Sequence, residues 1–225
     1  MPDFAVILPA GGKAVRFGGE RNKLLYPLQH ITILRRSVQA FLARKDCAQV
    51  IVPTRDPAMI DELSPLRDAR IQTPSGGESR AESVLRGLQD VRREVQWVAV
   101  HDAARPLVSQ QLIDTTLAAA EAHGAAAPAL PVALTIKQAS GPLPAKVQQT
   151  VPRQNLWAMQ TPQIMRTRDL LDAYDRCPLP LAEVTDDVQL LELVGKPVYL
   201  VAGEERNLKI TTPLDLRLAE ILAPS

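Results

Sequence analysis

Short apolar runs alternate with longer segments of helical periodicity along this chain, and no other feature of the sequence limits the possible folds as sharply. The runs cover residues 4–9, 49–53, 97–101, 126–132 and 197–202, each only long enough for a strand. Between them, residues 32–43 set Ile33, Leu34, Val38, Phe41 and Leu42 on one helical face. Residues 81–91 follow Ser79, which with Glu82 has the spacing of a capping box. Ser109 is placed to cap a helix ending at Gly124, and Thr185 to cap residues 186–194, which stop at Gly195. Thr212-Pro213 opens a last helix with a cap and a proline at its first position. Strand and helix in alternation predict an α/β fold: a mostly parallel twisted sheet with helices on both faces.

One stretch breaks the rhythm. Residues 135–157 are polar, dotted with proline and without helical period, while alternations at 133–137 and 146–151 predict a β-hairpin projecting from the sheet. Such an arm either meets another subunit or is a tolerated surface insertion. At 225 residues the whole chain, 1–225, suits one domain with the arm at 133–157 inside it.

Charge and cysteine content exclude several classes. The net charge is +1 with no block of like charges, so no nucleic-acid or membrane footprint is present and any anion must be bound locally. Asp3 stands where a signal peptide would be basic. The apolar tract 117–134 is interrupted by Glu121, His123, Gly124, Pro128 and Pro131, which argues against a membrane span. Cys47 and Cys177 are too far apart in sequence to suggest a zinc site or a disulfide framework. A cytoplasmic protein is expected.

In an open α/β sheet, ligands bind beyond the carboxyl ends of the strands. Three polar or glycine-rich turns fall there: the loop after the first run, with Gly11, Gly12, Arg16 and Lys23; Gly76-Gly77-Glu78-Ser79-Arg80; and His101-Asp102-Ala103-Ala104-Arg105-Pro106. The first loop has neither G-x-x-x-x-G-K-[ST] nor G-x-G-x-x-G, which removes the P-loop and the dinucleotide fingerprint. Its adjacent glycines let backbone N–H groups approach a base or phosphate unobstructed. Arg16 offers a bidentate fork and Lys23 a point charge. A glycine pair after a strand is usually only a turn, and loop cations are usually solvated. Lys23 is harder to set aside, because the chain holds 19 Arg but only 7 Lys. Asp102 is either a turn residue or a ligand for Mg²⁺ bridging phosphates. Together these residues describe nucleotidyl transfer, in which cations stabilise a crowded anionic transition state.

The same blocks carry a family resemblance. Pro9-Ala10-Gly11-Gly12 with Arg16 and Lys23, Gly76-Gly77 with Arg80 and Ser83, and the His101–Pro106 block resemble the 2-C-methyl-D-erythritol 4-phosphate cytidylyltransferases. Arg153, Leu156-Trp157, Gln160-Thr161-Pro162-Gln163, Thr185-Asp186-Asp187, Asn207, Lys209-Ile210-Thr211 and Asp215 continue the likeness over almost the whole chain. The resemblance implies a Rossmann-like nucleotidyltransferase fold and transfer of CMP from CTP to 2-C-methyl-D-erythritol 4-phosphate with release of pyrophosphate, with Mg²⁺ as the divalent cation. It implies that Arg16 and Lys23 stabilise the transition state, that Arg153 and Lys209 hold the acceptor phosphate, and that Asp102 orients its hydroxyls or assists the metal. Ala10, Gly11, Gly12, Gly77, Glu78, Ser83 and Ala103 would line the cytidine pocket, and Thr135, Thr161 and Thr185 the substrate side. It also implies a homodimer clasped by the arm, with Thr135 and Arg153 serving the partner's site. Two alternatives stand beside it: a ribitol 5-phosphate cytidylyltransferase, and a non-catalytic nucleotide-binding scaffold.

Overall fold

The computed structural model describes residues 1–11, 17 and 22–223. In chain order its elements are strand β1 (Phe4–Ile7), the short strands β2 (Pro27–Leu28) and β3 (Ile31–Thr32), helix α1 (Ile33–Leu42), β4 (Cys47–Ile51), α2 (Pro57–Leu63), β5 (Ile71–Gln72), α3 (Arg80–Gln89), β6 (Trp97–Val100) and α4 (Gln110–His123). Then follow β7 (Ala125–Pro131), the hairpin β8 (Ile136–Ala139) and β9 (Val147–Val151), β10 (Trp157–Met159), β11 (Gln163–Arg166), α5 (Thr167–Asp175), α6 (Asp187–Leu193), β12 (Tyr199–Ala202) and α7 (Pro213–Leu222).

The main sheet runs β12-β7-β11-β6-β1-β4-β5, and β10 shares the edge of β7 on which β11 lies. Pairing is parallel for β1 with β4 and β6, β4 with β5, and β12 with β7. β10 and β11 run antiparallel to β7, and β11 antiparallel to β6, so one reversed segment is inserted into an otherwise parallel sheet. That segment is broken at 160–162, which frees Thr161 to turn toward the end of β6.

The two faces of the sheet divide the core. Phe4, Val6 and Leu8 pack with Val38 and Phe41 of α1, Met59 of α2 and Ile113 and Leu117 of α4. Ile7, Ile51, Val98 and Val100 point the other way, onto Val84 and Leu88 of α3, Leu170 of α5 and Val188 and Leu191 of α6. This period of two, with both faces covered, explains why each strand reads as an unbroken apolar run. No helix among the described residues is long and apolar enough to cross a membrane.

Helix ends follow the sequence with two corrections. Thr32, Ser79, Ser109 and Thr212 cap their helices through the side chain, and Gly124 closes α4 at φ 95°. Ser79 accepts from Glu82 N, but the Glu82 carboxylate turns to Glu78 N, 2.6 Å away, so the expected reciprocal box at α3 is not formed. The full box occurs at Thr212 and Asp215. At α6 the cap is Asp186, which accepts from Gln189 N, while Thr185 hydrogen-bonds the Gln189 side chain. Aspartate at this position can accept directly from the third residue on, and so displaces threonine one position earlier. The hairpin β8–β9 is antiparallel and largely exposed, as the break in periodicity predicted.

Candidate active site

Beyond the carboxyl ends of β1, β4 and β6 lies a cleft of about 730 Å³ whose walls include Gly11, Lys23, Gly77, Ser83, Asp102 and Lys209. Parallel strands end on one rim, which is why segments remote in sequence converge there. Past β1, Leu8 N and Ala10 N bond to Ile51 O and Pro53 O and carry the backbone straight to Gly11. Gly12 and Arg16 lie outside the described residues. Asn22 caps the turn 23–25 by accepting from Leu24 N, fixing the root of Lys23, whose Nζ donates to Ile210 O at 2.8 Å.

The second turn is built without room for side chains. A Cβ on Gly77 would lie 2.2 Å from the Cβ of Glu82 and 2.8 Å from Ser83 N. Its N–H donates to Ser83 Oγ at 3.0 Å, and Ser83 Oγ donates in turn to Ser79 O. Gly76 N bonds Thr54 O, and Arg55 braces the turn from outside through Gly76 O and the Glu78 carboxylate. The result is a rigid strip of backbone on which a planar base can rest.

The centre of the cleft is Asp102. Its Oδ1 faces Arg80 Nε at 3.3 Å, and its Oδ2 faces Arg105 Nε at 3.2 Å and Lys209 Nζ at 3.0 Å. Burial alone would raise the carboxyl pKa, but Arg80, Lys209 and Arg105 overcome it and hold the group below the usual carboxylate range. Arg80 also reaches Asp187, a fully buried carboxylate 2.7 Å away at the start of α6, and the Tyr174 hydroxyl, which donates to Ala81 O at 3.0 Å, lies 3.5 Å from the other oxygen of Asp187. Burial pushes the Asp187 carboxyl up, with Arg80 opposing.

Beneath Asp102 runs a buried chain of hydrogen bonds. His101 Nε2 lies 3.0 Å from Arg105 O, which can only accept, so this nitrogen carries the proton. Nδ1 is then the acceptor for the Thr161 hydroxyl at 3.0 Å, and Thr161 Oγ1 accepts from Asp102 N at 3.0 Å. Burial drives His101 down to about 4, so the ring is neutral at pH 7. Asn207 ties the last segment in: its Nδ2 donates to Thr161 O, its carbonyl accepts from Arg105 Nη1, and Ile210 N bonds Ala104 O. Lys209 is thereby presented beside Asp102, one residue from the carbonyl that receives Lys23. Two lysines distant in sequence thus line the same cleft, Lys209 on the Asp102 carboxylate and Lys23 on the neighbouring Ile210 carbonyl.

Of the residues picked out by sequence, Gly11, Lys23, Gly77, Glu78, Ser83, Asp102, Ala103 and Lys209 line the cleft. Ala10 is buried directly behind it, and Thr161 acts from below through Asp102 N. Thr135 and Arg153 sit on the exposed arm, where Arg153 donates to Ala133 O, and Thr185 is exposed before α6; none of the three lines the cleft. Sequence reasoning quoted Arg80 and Arg105 but gave them no role, and missed His101 and Asp187 as supports. Arg105, three residues after Asp102, was within reach of a local argument. Arg80 was not, because its second partner is 107 positions away.

Among the described residues no group of three or more His, Cys, Asp or Glu could hold a metal ion. Both oxygens of Asp102 are engaged by cations, and such a site repels a further one. The residues therefore do not fit a protein-held Mg²⁺ at Asp102, contrary to the expectation from sequence.

Comparison with known proteins agrees with this geometry. The family model described as 2-C-methyl-D-erythritol 4-phosphate cytidylyltransferase matches residues 4–224. The enzyme of that name from Bacillus pumilus is 37% identical over 224 residues, covering 97% of this chain and 96% of its own. That from Gloeobacter violaceus is 39% identical over 221 residues, covering 96% and 94%. The crystal structure of the Francisella tularensis enzyme superposes with a TM-score of 0.85 at 30% identity over 98% of this chain and 100% of that one. The Thermus thermophilus enzyme gives 0.78 at 36% identity over 99% and 98%.

Proposed function

The chain belongs to the 2-C-methyl-D-erythritol 4-phosphate cytidylyltransferase family, and from that membership we propose that it transfers CMP from CTP to 2-C-methyl-D-erythritol 4-phosphate, releasing pyrophosphate. The observation that carries the reading is that Lys23, Lys209 and Asp102 line one cleft together with the bare backbone at Gly11 and Gly77.

The chemistry requires two anions to meet. An acceptor phosphate oxygen attacks the α-phosphorus of CTP, a new P–O bond forms, and the bond to pyrophosphate breaks with its electron pair going to the leaving group. A phosphate monoester has its second pKa near about 6, so the nucleophile is already a dianion at pH 7 and no general base is required. What the protein must supply is positive charge, held still in a site of low dielectric. Lys23 and Arg16 would serve the triphosphate, and Lys209 and Arg153 the acceptor phosphate. Asp102, kept ionised by its three cations, accepts hydrogen bonds from the acceptor's hydroxyls and repels its phosphate, which orients the molecule. Ala10, Gly11, Gly12, Gly77, Glu78, Ser83 and Ala103 take the cytidine end, and Thr135, Thr161 and Thr185 the acceptor end. A divalent cation such as Mg²⁺ would neutralise triphosphate charge and would be held chiefly by the nucleotide's own phosphate oxygens.

We assign residues 1–225 to one domain acting as a homodimer in the cytoplasm. Support for the dimer comes from the arm, which exposes Leu134, Leu143, Val147, Leu156 and Trp157. Thr135 and Arg153 then serve the partner's cleft rather than their own.

The test is pyrophosphate release from CTP with each of two acceptors. Methylerythritol phosphate should support turnover and ribitol 5-phosphate should fall at least about a hundredfold below it in kcat/KM. Lys23→Ala should lower kcat by about 10²–10³ with folding intact. Equal use of both acceptors, or near-normal turnover of that variant, would refute the assignment.

A further inference from the structure

At the opposite end of the sheet from the catalytic cleft, a second cleft of about 580 Å³ opens between the end of α3, the loop at 91–96, the end of β11 and the start of α5. Its lining has two chemical halves. Leu88, Val91, Val95 and Leu171 supply apolar surface, and Arg92, Arg93, Arg166 and Arg168 supply four guanidinium groups. A chain of net charge +1 has no general excess of cations to place there.

The carboxylates nearby hold these arginines only at long range. Arg92 Nε is 3.5 Å from Glu94, an exposed pair that contributes little, and Arg168 Nε is 3.6 Å from Asp169, a half-buried carboxylate already held by Lys196 at 2.9 Å. Arg93 forms no ion pair with the described residues. Arg166 is held over the Trp97 ring, 4.7 Å from its centroid, so its guanidinium is ordered without a carboxylate. Arg166 is also the N-cap of α5 and gives it no side-chain cap, which leaves first-turn amides without that partner. A cationic rim over an apolar floor matches one ligand chemistry, an anionic head on a hydrocarbon tail.

We propose that this cleft binds a small amphiphilic phosphate, with its phosphate or diphosphate among Arg92, Arg93, Arg166 and Arg168 and its hydrocarbon chain on Leu88, Val91, Val95 and Leu171. Neither half is part of the catalytic cleft, so the site is independent of the cytidylyl-transfer assignment.

Isothermal titration with octyl phosphate, inorganic phosphate and octanol tests it, using the full chain and an Arg93→Glu/Arg168→Glu variant. Octyl phosphate should bind at least about tenfold more tightly than either fragment molecule, and the double charge reversal should weaken it by at least about tenfold. Turnover of the variant with CTP should stay within about twofold of the parent, since both side chains face solvent away from the chemistry. Should the double variant melt early, Arg93→Ala alone should still weaken octyl phosphate while matching the parent's melting curve. Equal affinity for inorganic phosphate overturns the apolar half, and equal affinity for octanol overturns the cationic half. Undiminished binding to the charge-reversed chain puts the phosphate in the catalytic cleft and overturns the site altogether.

Discussion

Three cations depend on the single carboxylate of Asp102, and two of them, Arg80 and Arg105, have side chains largely out of water. Asp102→Asn keeps the shape and removes the charge, leaving the buried Arg105 guanidinium with carbonyl partners only and Arg80 with Asp187 alone. We expect a loss of about 3 kcal/mol of stability, seen as an early thermal transition, together with a fall in turnover of two orders or more. A variant melting with the parent would mean that the cations find other partners. His101 makes a separate prediction about pH. Its folded pKa of about 4 lies below the ordinary histidine value of about 6.5, so between these values the unfolded chain binds a proton that the folded chain refuses. Stability therefore falls as pH drops through that window, by about 1.4 kcal/mol per unit at most, whereas the Asp102 contribution is lost only below about pH 4. Urea unfolding at pH 7 and pH 5 should differ by about 2 kcal/mol in the parent, and the difference should shrink in His101→Gln. An unchanged slope would place the titration elsewhere. Lys23 could be singled out from sequence because lysine is scarce in this chain and its loop is local, whereas Lys209 came only through the family resemblance. The Thr161–His101–Arg105 chain could not, because hydrogen bonds between residues 60 positions apart leave no periodic or compositional trace.

The turn ahead of α3 is the element on which nucleotide binding rests in this reading. Gly77→Ala would push a methyl group into the Glu82 side chain and the first turn of the helix, so the backbone strip must move although Ser79 still caps α3. The expected outcome is a rise in KM for CTP of about tenfold with a smaller change in kcat, measured by steady-state pyrophosphate release. Unaltered KM would mean that the strip does not contact the nucleotide. Legibility at this scale followed burial. β1, β4 and β6 are covered on both faces and announced themselves as apolar runs, and α1 and α4 were marked by caps and periodicity. α2 and α5 were not anticipated, since each is short and buries only two or three side chains. Nor was the antiparallel insertion of β10 and β11. Their polar ends and brief pairing look like loop until β6 and β7 are seen to leave a strand-wide gap between them.

In the proposed scheme Arg153 acts on the acceptor phosphate, yet it sits on an exposed arm that does not line its own cleft. In a two-fold dimer every contact occurs twice, so an arm reaching across delivers Arg153 to the partner's Lys23 and Lys209, and each cleft draws on two chains. That arrangement predicts an outcome no single variant can give. Lys23→Ala and Arg153→Ala should each be nearly inactive alone. After the two are mixed under conditions that exchange subunits, half the dimers should be mixed, and in each of those one cleft has an intact Lys23 from one chain and an intact Arg153 from the other. Activity should return to about a quarter of the parent's on a per-site basis. If Arg153 served the cleft of its own chain, every cleft would keep one defect or the other, and mixing would restore nothing. A Leu143→Asp/Val147→Asp variant of the parent supplies the control for assembly. Charges on the apolar face of the arm should shift the sedimenting species toward monomer and lower turnover in step, because in this scheme a monomer holds half of each of two sites and the whole of none.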